Sequence, residues 1–314
     1  MVKHLTALSG VNIRNTFLTI GSFDGIHIGH QQLIRELNSQ AHLAGAKSVV
    51  LTFHPHPSVI LRGRTGAFYL TTPSEKAELL DKLGIDIVIT HPFTRDLSQS
   101  TAHDYVSYLM DHLGFHQLWV GDDFALGKGR EGDVPYLKGH AEEFGYQVHV
   151  VEPVRLNGSI VSSSQIRKLI TEGNISEANR LLNRLYRLAG EVVHGDGRGK
   201  RIGIPTANLE TGDEKLIPGA GVYACCIQIL DKFLPAAVNV GTRPTFESTD
   251  HRSHVEAHIL DYSGDLYNHN VKLDFVEKLR GEQRFESVGE LIKQIYADIE
   301  QTRKIITSSN IFMA

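Results

Sequence analysis

The stretch G-S-F-D-G-I-H-I-G-H, Gly21 to His30, decides the fold of the first half of the chain. It follows the apolar run Phe17–Ile20 and precedes a helical pattern. An apolar run, a glycine-rich turn and then helical spacing predict strand, phosphate loop and helix. His27 and His30 are three apart, so a helix starting near them puts both imidazoles on one face of its N-terminus. That end of a helix presents unpaired N–H groups and a positive dipole, which suit phosphate. Two imidazoles beside it can stabilise charge on a phosphorus undergoing substitution. Gly21 and Phe23 lie in the same loop and are candidate nucleotide contacts. Asp24 is read as a cap of the turn.

The pattern repeats outward. Strand-like runs recur at Ser48–Phe53, Ile85–Thr90, Gln117–Val120 and Tyr146–Val151. Helical patterns lie between them, at Gln31–Ala44, Pro73–Leu83 and Ala102–Leu113. Thr72 stands three before Glu75, which predicts a capping box, and Pro73 suits the first helical position. Gly114 supplies a C-terminal stop. Alternation of this kind predicts right-handed βαβ units and a parallel sheet covered on both faces. Ligands of such sheets sit beyond the C-terminal strand ends. Short helices are predicted at Ser164–Thr171 and Ile175–Leu182.

From about Tyr186 the texture changes. Runs at Arg187–Val193, Gly221–Leu230, Phe233–Val240, His254–Leu260 and Val271–Val276 are joined by Gly, Pro, Asn and Asp clusters without helix-length insertions. This predicts an antiparallel barrel. A final helix carries Val288, Leu291, Ile292, Ile295 and Ile299 as a stripe that packs on the barrel.

The chain has 314 residues, enough for about two domains. Charged residues are 22% and hydrophobic residues 41%, values of a globular protein with a real core. A net charge of −4 gives no reason to expect nucleic acid or a membrane as partner. The first ten residues lack a signal-peptide core, and no apolar run is long enough to span a bilayer, so a cytoplasmic location is expected. Cys225 and Cys226 are adjacent in an apolar run, which argues for reduced thiols rather than a disulfide framework. Composition leaves the oligomeric state open.

The motifs carry a resemblance. H-x-G-H resembles the signature of the nucleotidylyltransferase superfamily. The longer form is similar to the FMN adenylyltransferase half of the bacterial bifunctional riboflavin kinase/FAD synthetases. Three further blocks match that family in order: T-F-H-P-H-P (Thr52–Pro57), G-D-D-F-A-L-G-K-G-R-E-G (Gly121–Gly132) and V-S-S-S-Q-I-R (Val161–Arg167). The resemblance implies that His27 and His30 stabilise the transition state. It implies that Ser163, Ser164 and Arg167 bind triphosphate and that Asp123 helps hold the nucleotide. Pro55 and His56 are candidates for shaping a flavin pocket. Arg130 reads equally as a phosphate ligand and as a surface charge. Ser164 replaces the family's Thr and keeps the hydroxyl. Leu126 replaces a Phe, which would loosen a ring contact.

The second half holds G-E-V-V-H-G-D-G-R-G-K-R-I-G-I-P-T-A-N-L, Gly190 to Leu209. Gly195, Gly197 and Lys200 suggest a phosphate-facing loop, although it is neither Walker A nor G-x-G-x-x-G. Pro205-Thr206-Ala207-Asn208 resembles the P-T-A-N signature of riboflavin kinases. Thr206 and Asn208 offer oxygen ligands suited to Mg²⁺. Further matches are Pro218–Ala224, Asn239–Phe246, Val255–Asp261 and Leu279–Phe285. Alternation along Val255–Ile259 turns Glu256 away from the apolar face, as for a solvated strand residue. The resemblance instead makes it the catalytic base. Arg280 falls where the family contacts flavin and nucleotide.

The resemblance therefore implies α/β plus β. A Rossmann-like nucleotidylyltransferase domain with a parallel sheet is expected at 1–185. A six-stranded antiparallel riboflavin kinase-like barrel with a terminal helix is expected at 186–314. The implied substrates are ATP, riboflavin and FMN, with Mg²⁺. Two departures stand outside these groups. Asn183 and Leu185 interrupt the family's L-L-G-R-P-Y, and Asn268 replaces the glycine of D-L-Y-G. Asn tolerates the left-handed backbone, so the turn at 268 is expected to survive.

Overall fold

A computed structural model describes residues 2–195, 197, 199, 202–242 and 253–308. Lys200 of the expected phosphate loop lies outside the described residues, as does part of Asn239–Phe246. The chain forms two compact units that divide between Ser163 and Ser164.

The first unit runs β1 (Lys3–Leu5), β2 (Thr16–Ile20), α1 (Ile28–Leu43), β3 (Lys47–Phe53), α2 (Pro57–Arg62), α3 (Pro73–Lys82), β4 (Ile87–His91), α4 (Ala102–Leu113) and β5 (Phe115–Gly121). It continues through β6 (Ala125–Leu126), β7 (Gly132–Asp133), α5 (Val134–Gly139), α6 (Ala141–Phe144), β8 (Gln147–Val151), β9 (Arg155–Leu156) and β10 (Ser159–Ile160). Six strands pair in the order β1-β4-β3-β2-β5-β8, and every pair is parallel. Alternation within the strands splits the core in two. Leu18, Val49, Leu51 and Ile89 pack with Leu109 and Leu113 of α4 on one face. Phe17, Val50 and Val88 pack with Ile34, Leu37 and Leu80 from α1 and α3 on the other. The capping box at Thr72 and Glu75 forms as expected. The segment after Phe53, expected as a loop, becomes α2 within four residues: His56 caps it and Pro57 opens it.

The second unit holds most of α7 (Ser163–Glu172), then α8 (Ile175–Leu182), β11 (Tyr186–Val193), β12 (Ala207–Thr211), β13 (Gly221–Ile229), β14 (Lys232–Thr242), β15 (Ser253–Ile259), β16 (Asn270–Arg280) and α9 (Val288–Ser308). The six strands close into a barrel, β11-β12-β15-β14-β13-β16, with antiparallel pairing throughout. The division falls earlier than the boundary expected at 185/186, because α8 is bonded to the barrel. The Asn179 amide donates to the Phe275 carbonyl at 2.9 Å and accepts from the Tyr186 N–H at 2.7 Å.

Strand β13 is buried on both faces at Cys225 and Cys226, both free thiols. Burial pushes both thiols up, Cys226 to about 11, so they stay protonated and unreactive. The α9 stripe divides: Ile299 is buried against Ala237 and Leu260, whereas Val288 stays 60% exposed. Asn183 and Asn268 both adopt left-handed backbone, φ +52° and +62°. The glycine departures thus keep the turn geometry.

Candidate functional sites

In the first unit the two histidines meet where the chain enters α1. His27 is the N-cap, and its Nδ1 accepts from the His30 N–H at 3.4 Å. The two rings stack with centroids 3.6 Å apart and planes 21° apart. A side chain at position 29 would sit 3.3 Å from the His27 ring, which explains the glycine between them. The edge of Phe23 meets His30 at 5.2 Å and 79°. Gly21 leaves room for that ring, since a Cβ there would lie 3.0 Å from Phe23 Cζ. The first turn of α1 carries no acidic residue, so its dipole is not offset by a side chain.

The loop between β2 and α1 is strained. Phe23 and Ile26 are non-glycine residues at φ +43° and +41°, and both are buried. Buried polar groups hold this backbone. Asp24, expected to cap its own turn, instead accepts from the N–H groups of Leu70 and Thr71 at 3.0 Å and ties that distant segment to the loop. The ammonium of Lys76, 4% exposed, donates to the Ser22 carbonyl at 2.6 Å and to Thr52 Oγ1 at 2.9 Å. Burial lowers its pKa to about 8, against the opposing pull of the Asp24 carboxylate. Sequence reasoning missed Lys76; it sits in the α3 pattern as an ordinary polar position.

A cavity of about 640 Å³ lies at the same C-terminal sheet edge. It brings together Gly21, His56, Asp123 and Arg130 with the aromatic side chains of Phe53 and Tyr105. His56 Nδ1 caps α2 by accepting from the Ser58 N–H at 3.1 Å. Arg130 donates to the Asp123 carbonyl at 2.6 Å, which folds the Gly121–Gly132 loop on itself. Leu126 is buried and lines the cavity. Pro55, Phe23, His27 and His30 are not among the lining residues. Ser163 donates to the Asp24 carbonyl at 2.8 Å. Ser164 and Arg167 belong to α7 in the second unit, the first exposed and the second half-buried.

The barrel carries a second cavity, of about 380 Å³. Gly199, Thr206, Glu256, His258 and Arg280 line it, under Leu291 and Ile295 of α9. Strand alternation holds: Val255, Ala257 and Ile259 are buried, and Glu256 faces outward. The outward face here is roofed rather than open. Glu256 pairs in register with Asn208 on one side and Asn239 on the other. Asn208 is 7% exposed, and its Oδ1 has no hydrogen-bond partner among the described residues. A buried orphan acceptor is costly unless a ligand or cation completes it. Gly195 lies against this amide, where a Cβ would come within 2.2 Å of Nδ2. Gly197 is exposed at φ +65°.

Two histidines flank Glu256 on its own face. His254 Nε2 lies 2.7 Å from Glu256 Oε1. His258 Nδ1 donates to the Pro205 carbonyl at 2.8 Å, which fastens the start of P-T-A-N to β15. Arg280 makes a paired contact with Asp298 of α9, at 2.8 Å for its shortest bond. Gln294 donates to the same carboxylate at 2.9 Å. No group of three or more metal-ligating His, Cys, Asp or Glu side chains occurs among the described residues. No helix among them is long and apolar enough to cross a membrane.

The two units define a two-domain class, a parallel α/β sheet followed by a closed antiparallel barrel. The FAD synthetase family model matches residues 11–165, and the riboflavin kinase family model matches 182–306. A protein of Pseudomonas fluorescens named bifunctional riboflavin kinase/FMN adenylyltransferase is 36% identical over 94% of each chain. The Escherichia coli K12 protein of the same name is 35% identical over 95% of each. A crystal structure from Streptococcus pneumoniae, described as a macrolide-efflux protein, matches with a TM-score of 0.87 at 29% identity. It covers 96% of this chain and 98% of its own. The chain belongs to the bifunctional riboflavin kinase/FMN adenylyltransferase family.

Proposed function

We propose that this protein makes FAD from riboflavin in two ATP-dependent steps, one on each unit. The observation that carries the reading is that each unit holds its own cavity, the first beside the loop of the stacked His27–His30 pair, through Gly21, and the second lined by Glu256, Thr206 and Arg280. We assign the adenylyl transfer to residues 1–185 and the kinase reaction to 186–314, although α7 and α8 pack with the barrel.

On the barrel, the riboflavin 5′-hydroxyl attacks the γ-phosphorus of ATP. Glu256 accepts the hydroxyl proton, a phosphorus–oxygen bond forms, and ADP leaves. Gly195, Gly197 and Lys200 are assigned to the phosphates by resemblance, Lys200 lying outside the described residues. Thr206 and Asn208 hold Mg²⁺, and the buried Oδ1 of Asn208 supports that assignment. When bound, the cation neutralises phosphate charge. Arg280 borders the flavin end of the cavity, with its guanidinium held by Asp298.

On the sheet unit, a phosphate oxygen of FMN attacks the α-phosphorus of ATP and pyrophosphate leaves. No protein nucleophile is needed, so catalysis is positioning and charge stabilisation. His27 and His30 stabilise the charge at phosphorus. Phe23 keeps the His30 ring in place by its edge contact. Gly21 and Asp123 contact the nucleotide, while Ser163, Ser164 and Arg167 take the triphosphate. Pro55 and His56 shape the flavin pocket. The free, buried cysteines support a cytoplasmic location.

Incubation of the pure protein with riboflavin, ATP and Mg²⁺, followed by separation of the flavins, tests the reading. FMN and then FAD are expected. Formation of neither overturns it.

A further inference from the structure

We propose that His254 is a positioning residue for the kinase reaction: it holds the Glu256 carboxylate in the orientation from which it takes the proton of the flavin alcohol. The inference rests on the reading of Glu256 given above.

His254 and Glu256 are two apart on β15, so the pleat puts them on one face. Their Nε2 and Oε1 atoms are 2.7 Å apart, with the two side chains 25% and 33% exposed. A carboxylate only accepts, so Nε2 carries the proton and donates. That distance is typical of a charge-assisted hydrogen bond. Glu256 has three side-chain torsions and lines the barrel cavity. A base that swings among rotamers spends little time in line with the hydroxyl it must deprotonate. Fixing one oxygen restricts the plane of the carboxylate and leaves the other oxygen to take the proton.

The second histidine of the face makes the contrast. His258 also flanks Glu256, but its Nδ1 is committed to the Pro205 carbonyl. It serves the P-T-A-N backbone, whereas His254 serves the carboxylate. Neither histidine needs to touch substrate for this division to hold.

The test uses the full chain and measures kcat and KM for riboflavin, with FMN-to-FAD conversion as internal control. His254→Ala is expected to lower the kinase kcat about 30-fold while KM changes less than about twofold, the signature of lost positioning. His254→Gln keeps an N–H donor of similar reach and is expected to recover kcat to within about fivefold of the parent. His254→Phe fills the volume without a donor and should behave as Ala. FAD formation from FMN stays unchanged in all three. A fully active His254→Ala beside an inactive Glu256→Gln overturns the inference alone, as does a Phe variant as active as the Gln one. Parent protein without kinase activity, or a fully active Glu256→Gln, overturns the reading of Glu256 and the inference with it.

Discussion

The two units place their reactive side chains by opposite means. In the sheet unit the geometry is built into the backbone. His27 and His30 stack at a helix start, behind two strained residues, Phe23 and Ile26, that the core holds in place. In the barrel the backbone is regular strand, and the arrangement is made by side chains. Glu256 is steadied by His254, flanked by Asn208 and Asn239, and roofed by a helix that Arg280 and Asp298 tie down. The difference teaches where each site is vulnerable. Supporting residues of the first should affect fold and catalysis together. Those of the second should separate the two.

The largest expected effects come from the reacting groups themselves. Glu256→Ala should lower FMN formation about 10³-fold and leave FMN adenylylation within about twofold. His30→Ala should lower adenylylation on the order of 10²–10³-fold and spare the kinase. Parallel assays from riboflavin and from FMN read both. Loss of both activities in either variant would break the comparison, since it requires two independent sites.

Next is Asp298→Ala. Asp298 is 4% exposed and receives three donor contacts from Arg280 and one from Gln294. Removing the carboxylate leaves a mostly buried guanidinium without its counter-charge, at a cost of about 3 kcal/mol. The barrel's melting transition should fall by several degrees while adenylyl transfer persists. A calorimetric scan that shows no shift would mean that the clasp on α9 is ornamental.

Asn208→Ala follows. Metal affinity falls on the order of 10–100-fold when a supporting group of a site is lost, and a direct ligand costs at least as much. The Mg²⁺ concentration for half-maximal kinase rate should therefore rise about tenfold or more, with no change in that for adenylylation. An unaltered Mg²⁺ titration would remove Asn208 from the cation site.

Much of this was legible in the chain because hydrophobic spacing reports burial. Helix α4 runs over Ala102–Leu113 as its caps predict, and the strands around Phe17, Val50 and Leu118 follow their apolar runs. What escaped lacks that signal. Strand β1 is Lys3-His4-Leu5, too short and polar to show a period. Strand β12 begins inside P-T-A-N, where the tetrapeptide hides the start of a strand. Glu256 follows the solvent-facing phase of β15; the α9 stripe is expected on the barrel, but not that its Leu291 and Ile295 cover the face that carries Glu256. The stripe announces a helix on the barrel, but no local pattern tells which face of the barrel it covers. The strained φ values at Phe23 and Ile26 were equally invisible, since neither residue type prefers them.

The smallest effect sharpens the claim that the first site is set by buried groups. Lys76 has a folded-state pKa of about 8, below its usual 10.5, chiefly because burial penalises the ammonium. The unfolded chain therefore binds more protons than the folded chain between about pH 8 and 10.5. In that window this residue's contribution to stability rises with pH. The limit is about 1.4 kcal/mol per pH unit, and on the order of 1 kcal/mol is expected between pH 8 and 9. The neutral amine can still donate to the Ser22 carbonyl and Thr52 Oγ1, so the loop keeps its staple as the charge is lost. Lys76→Met cannot titrate and should lack the rise. Urea midpoints of both proteins at pH 7.5 and 9 isolate the residue, because every other titrating group is common to the pair. A constant gap would show that the ammonium is not penalised by burial.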